Sequence, residues 1–135
     1  PYGVVAVDDP RMLKTVEIIE STILRNGGLH RYAEDSYFGG GAWILLTAWL
    51  GWYYTELSSK RKDLRPKLHP KVQACLAWIE AHAGERQYLP EQVPEDLNEP
   101  AYYSSWVERW GNIASPLLWS HAKYIILCAE RSRSK

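Results

Sequence analysis

Apolar residues recur at helical spacing over four stretches of the chain, each bounded by residues that start or stop a helix. The first opens at Asp8-Asp9-Pro10, where Asp9 suits an N-cap and Pro10 a first helical position that needs no N–H donor. Met12, Leu13, Val16, Ile19 and Ile23 share one face, and Asn26-Gly27-Gly28 ends the run. A second helix is predicted from about Gly41 to Ser59. Its Trp43, Ile44, Leu45, Leu46, Trp49, Leu50, Trp52, Tyr53 and Tyr54 surround the axis, and a helix apolar on every side belongs at the centre of a fold. A third starts at His69-Pro70, carries Val72, Cys75, Leu76, Ile79 and Ala83 on one stripe, and stops at Gly84. The fourth is predicted with Ser115 as cap and Pro116 at its first position. It runs through Leu117, Leu118, Trp119, Ala122, Ile125, Ile126 and Ala129 into a basic tail, Arg131 to Lys135.

The helices alternate in character: the second and fourth are nearly all apolar, the first and third amphipathic. That alternation predicts an all-α protein in two layers, inner and outer. About four main helices would then be joined by long loops. Between Gly84 and Ser115 no period is clear, yet Trp, Tyr and Leu are too frequent for plain disorder. The Gly27 to Gly39 connection is similarly polar and aromatic, and long loops on a helical scaffold are where sites are built.

Composition narrows the function classes. Among 135 residues, 16 basic and 16 acidic side chains balance to zero, which argues against nucleic acid or an anionic membrane as partner. The run from Lys60 to Lys67 reads as a solvated loop whose cations suit a helix C-terminus. The uncharged stretch Gly40 to Thr55 falls short of the roughly 20 apolar residues a membrane span needs, and reads as a buried helix. Cys75 and Cys128 lack metal-ligand spacing and read as small buried residues, with a disulfide between them left open. Pro1 is not a natural start, so the chain is expected to be a piece of something longer; its compartment is not legible.

Three constellations carry candidate chemistry. Leu89-Pro90-Glu91-Gln92 sets a carboxylate beside a restricted proline and an amide, which suits a general base that must be held still within reach of one water. Arg31-Tyr32-Ala33-Glu34-Asp35 offers a guanidinium fork for hydroxyls or a carboxylate, with Asp35 four residues on to hold it. On the residues alone, the reading to prefer for the same pair is an ion pair that only fixes the loop. Trp43 and Trp119 each stand near a predicted helix start, beside a long loop, where an indole face can pack on a sugar ring or simply join the core. Tyr102, Tyr103, Trp106 and Trp110 are placed to line the same cleft or to staple the loop. The four histidines, His30, His69, His82 and His121, make no zinc pattern, and no cofactor or metal is called for.

The order of these motifs is specific. His30-Arg31-Tyr32-Ala33-Glu34-Asp35-Ser36-Tyr37-Phe38-Gly39-Gly40-Gly41-Ala42-Trp43, then Leu89-Pro90-Glu91-Gln92, then Pro116-Leu117-Leu118-Trp119-Ser120-His121-Ala122, resembles the glucoamylase-like glycoside hydrolases, family 15. The resemblance implies the C-terminal portion of an (α/α)6 barrel and inversion at the anomeric carbon by two glutamates. By match to the family's motif, Glu91 would be the base, Arg31 would bind the sugar at the bond to be cut, Asp35 would orient Arg31, and Trp43 and Trp119 would wall the pocket. Ala42 stands where the family often has proline, and the family's general acid belongs to a segment N-terminal to anything here.

The function implied is an exo-acting hydrolase that releases glucose from the non-reducing ends of α-glucans, with the chain carrying the base but not the acid. Alone the chain is expected to be inactive. It is expected to meet the rest of a parent catalytic domain or to self-associate through exposed apolar helix faces. The alternatives are a trehalase of the same family and a noncatalytic helical protein that binds carbohydrate or another protein.

Overall fold

The computed structural model describes residues 3–134. Five helices carry the fold: α1 (Pro10–Thr22), α2 (Ile44–Lys60), α3 (Arg65–Ala81), α4 (Pro100–Trp110) and α5 (Leu118–Arg133). Four two-residue strands form two antiparallel ladders, β1 (Leu24–Arg25) with β2 (Gly28–Leu29), and β3 (Ala42–Trp43) with β4 (Gln92–Val93). The architecture is all-α, a partial helical barrel that stays open among the described residues.

The all-round apolar pattern of α2 makes it the centre, with both α3 and α5 packed on it. Ile44, Ala48, Ile79 and Leu127 have no exposure at all, and each fully buried aliphatic chain of the larger kind contributes about 1.5–3 kcal/mol. A methyl group on Gly51 would lie 2.9 Å from Leu127 and 3.1 Å from Cys75, so the bare backbone there lets both neighbours close onto α2. The α1 helix begins as its sequence says: the Asp9 carboxylate accepts the Arg11 backbone N–H at 2.8 Å. It is tied in by Glu20, which accepts from the Tyr54 hydroxyl at 2.6 Å on α2 and from Lys71 Nζ at 2.7 Å on α3.

Several boundaries differ from the sequence reading. Asn26-Gly27 is a hairpin turn, and α1 has already ended at Thr22. Both residues have positive φ (45° and 91°), the geometry of a two-residue turn that matches strand twist. The α2 helix starts at Ile44, because Ala42 and Trp43 are strand and pair with Val93 and Gln92. The α3 helix starts four residues before His69, with Pro66 in its first turn and Pro70 inside it, where the missing N–H removes one backbone bond. Most of the Lys60 to Lys67 run is therefore a 3-10 turn and a helix start.

A fifth helix, α4, lies within the stretch read as a loop. The α5 helix starts at Leu118, two residues after Pro116; the Ser115-Pro116 bond is cis, and Leu117 caps the helix without a side-chain bond. Leu117 donates its N–H to the Leu89 carbonyl at 2.9 Å, which holds the backbone extended there. The α5 helix buries only a narrow stripe, Ser120, Lys123 and Leu127, and leaves Leu118, Trp119 and Ile125 exposed. Lys123 Nζ lies over the rings of Trp49 at 4.4 Å and Trp52 at 5.2 Å, a cation–π link between α5 and α2. Both cysteines are free; burial pushes the Cys75 thiol up to about 12. Among the described residues, no helix is long and apolar enough to cross a membrane.

Candidate functional site

The segment Leu89–Gln92 bridges the N-terminal ends of α2 and α5, and neighbouring elements hold its backbone. The Leu89 N–H donates to His121 Nε2 at 3.0 Å, and its carbonyl accepts the Leu117 N–H. Pro90 has no donor, and its carbonyl accepts the Ser120 hydroxyl at 2.8 Å. The Glu91 N–H donates to the Ala114 carbonyl at 3.0 Å, and the Glu91 carbonyl accepts from the Ile44 N–H at 3.4 Å. Gln92 then pairs with Trp43 in the β3–β4 ladder, and its buried amide donates to the Gly41 carbonyl at 2.8 Å. Glu91 is thus pinned at its own backbone and at both neighbours, while its side chain remains partly open.

The second loop arrives on the same end. Asp35, with no exposure, accepts from Arg31 Nε at 3.0 Å and Nη2 at 2.7 Å, a two-pronged charge-assisted pair, and from the Tyr37 backbone N–H at 3.1 Å. Its own carbonyl accepts from Asn98 Nδ2 at 2.8 Å, which ties this loop to the chain leading into α4. Hydrogen bonding to Asp35 raises the Arg31 guanidinium further above its ordinary range. The fork lies over the rings of Trp43 at 5.0 Å, Tyr32 at 5.2 Å and Tyr37 at 5.3 Å.

Tyr37 joins the two loops. Its hydroxyl donates to Glu91 Oε2 at 3.4 Å, its ring stacks on Trp43 at 6.0 Å, and it meets the Trp106 edge at 4.7 Å. Burial first, and then the charge of Glu91, raise the Tyr37 hydroxyl above its usual range, so it stays a donor at neutral pH. The next residue, Phe38, is buried with φ 51° and packs edge-on against Tyr103 at 5.0 Å. A left-handed non-glycine residue costs of order 1–3 kcal/mol, and here the α4 contacts hold it.

The structure therefore brings together Glu91, Arg31, Asp35 and Trp43. Trp119 stands in the first turn of α5, one residue before the Ser120 that binds Pro90, and is 55% exposed. Of the aromatic group in the long loop, Trp106 meets Tyr37 and Tyr103 meets Phe38, whereas Tyr102 and Trp110 face solvent. Sequence reasoning did not single out Tyr37 as the link. The available signal was its place two residues after Asp35, between two candidate residues. It also missed α4, although Glu99-Pro100 and Gly111 are ordinary start and stop signals. Among the described residues, no group of three or more His, Cys, Asp or Glu side chains is placed to hold a metal ion.

No protein-family profile matches the chain. Over 130 residues, 96% of the chain, it is 41% identical to an isomaltose glucohydrolase of Kribbella flavida, of which this stretch is 31%. It is 32% identical to a glucoamylase of a Clostridium species, covering 93% of the chain and 17% of that protein. A solved wild-type glycosidase superposes on 98% of the chain with a TM-score of 0.87 and 39% identity, over 33% of its own length. By sequence and by fold the chain is related to the glucoamylase-like glycoside hydrolases. A variant of a glycosidase solved in complex with glucose matches with a TM-score of 0.87 and 38% identity. The chain spans a third or less of each of these relatives.

Proposed function

We propose that residues 1–135 are the C-terminal portion of the catalytic domain of an inverting, exo-acting glycoside hydrolase that frees glucose from α-glucan ends, and that Glu91 is its general base. The observation that carries this reading is the convergence on Glu91: a carboxylate with a fixed backbone, a Tyr37 donor on Oε2, and an Arg31 fork held by a buried Asp35. Glu91 takes a proton from a water molecule, the water oxygen bonds to the anomeric carbon, and the glycosidic oxygen departs on the opposite face with a proton from an acid. That acid lies outside this chain, across a gap of roughly 6.5–9.5 Å in enzymes of this kind. Arg31 hydrogen-bonds the sugar at the cut, Asp35 orients it, and Trp43 and Trp119 wall the pocket. The rest of the catalytic domain covers the exposed apolar side of α5; without it the piece self-associates.

The isomaltose glucohydrolase relative favours one second reading, an enzyme whose substrate is a short α-linked glucose disaccharide. Assaying the full-length protein on maltose, isomaltose, a longer maltooligosaccharide and trehalose separates these substrates and tests the trehalase alternative. With Glu91→Gln beside it, turnover should vanish. Substantial activity in that variant would remove Glu91 from the base role, and a full-length protein inert on all four substrates would leave the noncatalytic binder standing.

A further inference from the structure

The first turn of α5 closes on both backbone groups of Leu89. The Leu117 N–H donates to the Leu89 carbonyl at 2.9 Å, and the Leu89 N–H donates to His121 Nε2 at 3.0 Å. Leu89 is 3% exposed, so an N–H that lost this acceptor would find little water in its place, and an unpaired buried donor is costly. Further chain from the parent protein can only deepen that burial. Pro90 has no N–H, and the Glu91 N–H is already taken by the Ala114 carbonyl at 3.0 Å. Most buried backbone donors pair with a backbone carbonyl, whereas this one takes a ring nitrogen. Because Nε2 accepts, the imidazole proton sits on Nδ1.

From this clamp we propose that His121 is a positioning residue for the general base: its Nε2 holds the Leu89 N–H, and with the restricted Pro90 between them this fixes where the Glu91 carboxylate stands. Histidine suits the task because its acceptor lies at the far end of a stiff ring. The ring is carried by a helix whose preceding residue, Ser120, donates to the Pro90 carbonyl at 2.8 Å. The inference rests on the reading of Glu91 as base and deepens it. Arg31 and Asp35, which would bind the sugar, belong to a different loop. Loss of the clamp should therefore slow the chemical step and leave substrate binding nearly intact.

The test compares the full-length protein with His121→Leu, which removes the acceptor at similar bulk, and His121→Gln, whose amide oxygen reaches about as far as Nε2. On maltose and isomaltose the Leu variant should lose about thirtyfold in kcat, part of the roughly hundredfold that a misplacement of about 1 Å brings, with KM within about twofold of wild type. The Gln variant should return kcat to within about threefold of wild type, because it restores the acceptor. If the Leu variant does not fold, His121→Asn, an amide one methylene too short, takes its place. A Leu variant within about threefold of wild type, or a Gln variant as slow as the Leu variant, would overturn the positioning role. Glu91→Gln is assayed beside them: if it stays active, the base reading and the positioning role fall together. An inactive Glu91→Gln beside a fast His121→Leu sinks only the latter. Should the wild type turn over neither sugar, hydrogen exchange at the Leu89 amide decides. Exchange that is fast in the Leu variant and slow in wild type and the Gln variant supports the clamp; equal rates in all three sink it.

Discussion

Replacing Asp35 by Asn changes one atom and separates two readings of the Arg31–Asp35 pair. The carboxylate has no exposure and accepts three hydrogen bonds, from Arg31 Nε at 3.0 Å, Arg31 Nη2 at 2.7 Å and the Tyr37 N–H at 3.1 Å. The amide keeps one acceptor and turns the other position into a donor that faces an N–H. Breaking a fully buried pair costs about 3–5 kcal/mol, but the Arg31 side chain is 39% exposed and regains water, so the expected stability loss is about 2 kcal/mol. A urea titration of the full-length protein reads it. The catalytic consequence should be larger, because the freed fork loses its place over Trp43 and Tyr37. Misplacement of about 1 Å is enough to lower kcat/KM roughly a hundredfold. If Asp35 acts only by holding Arg31, the double variant Asp35→Asn with Arg31→Ala should be no slower than the worse single variant. Additive losses in that cycle, or an Asp35→Asn enzyme within about threefold of wild type, would refute the orienting role and leave a loop-fixing ion pair.

Tyr37→Phe removes a donor from Glu91 across a long 3.4 Å contact, so kcat/KM should fall only about fivefold, near 1 kcal/mol, with the melting temperature little changed. Gly41→Ala would set a methyl carbon 2.0 Å from the Val93 carbonyl oxygen, forcing apart the ladder that carries Gln92; a loss of about 2–3 kcal/mol should appear in the urea midpoint. His30 has no exposure, its Nδ1–H donates to the Gly40 carbonyl at 2.8 Å, and burial lowers its pKa. The unfolded chain therefore binds more protons than the folded one below about pH 6.5. The His30 contribution should be complete above that value and lost as pH falls toward the folded pKa. Urea midpoints at neutral and mildly acid pH should fall further in the wild type than in His30→Asn, whose amide keeps the donor without titrating; equal slopes would contradict this.

Local patterns along the chain were enough for α1, the central place of α2 and the apolar stripe of α3, because one face or all faces of a single helix are read from residues three and four apart. Asp9-Pro10 marks the start of α1 for the same reason: a cap acts within its own turn. Resemblance in motif order also brought out Glu91, Arg31, Asp35 and Trp43. What was not legible are features set by partners far along the chain. The α2 helix begins after Trp43 because Ala42 and Trp43 bond to a strand fifty residues away. The α5 helix begins after Leu117 because that backbone bonds Leu89. The α4 helix buries no residue fully and owes its position to contacts with Tyr37 and Phe38, more than sixty residues earlier, which no local pattern reveals. By itself, then, the sequence determined the helical class, the identity of the middle helix and the chemistry available in two loops. Only the tertiary structure decided that Tyr37 joins those loops, that Glu91 is held at its backbone, and that α4 brings Trp106 against Tyr37. Hydrogen bonds and ring contacts between distant residues have no period along the chain, and folding alone brings them together.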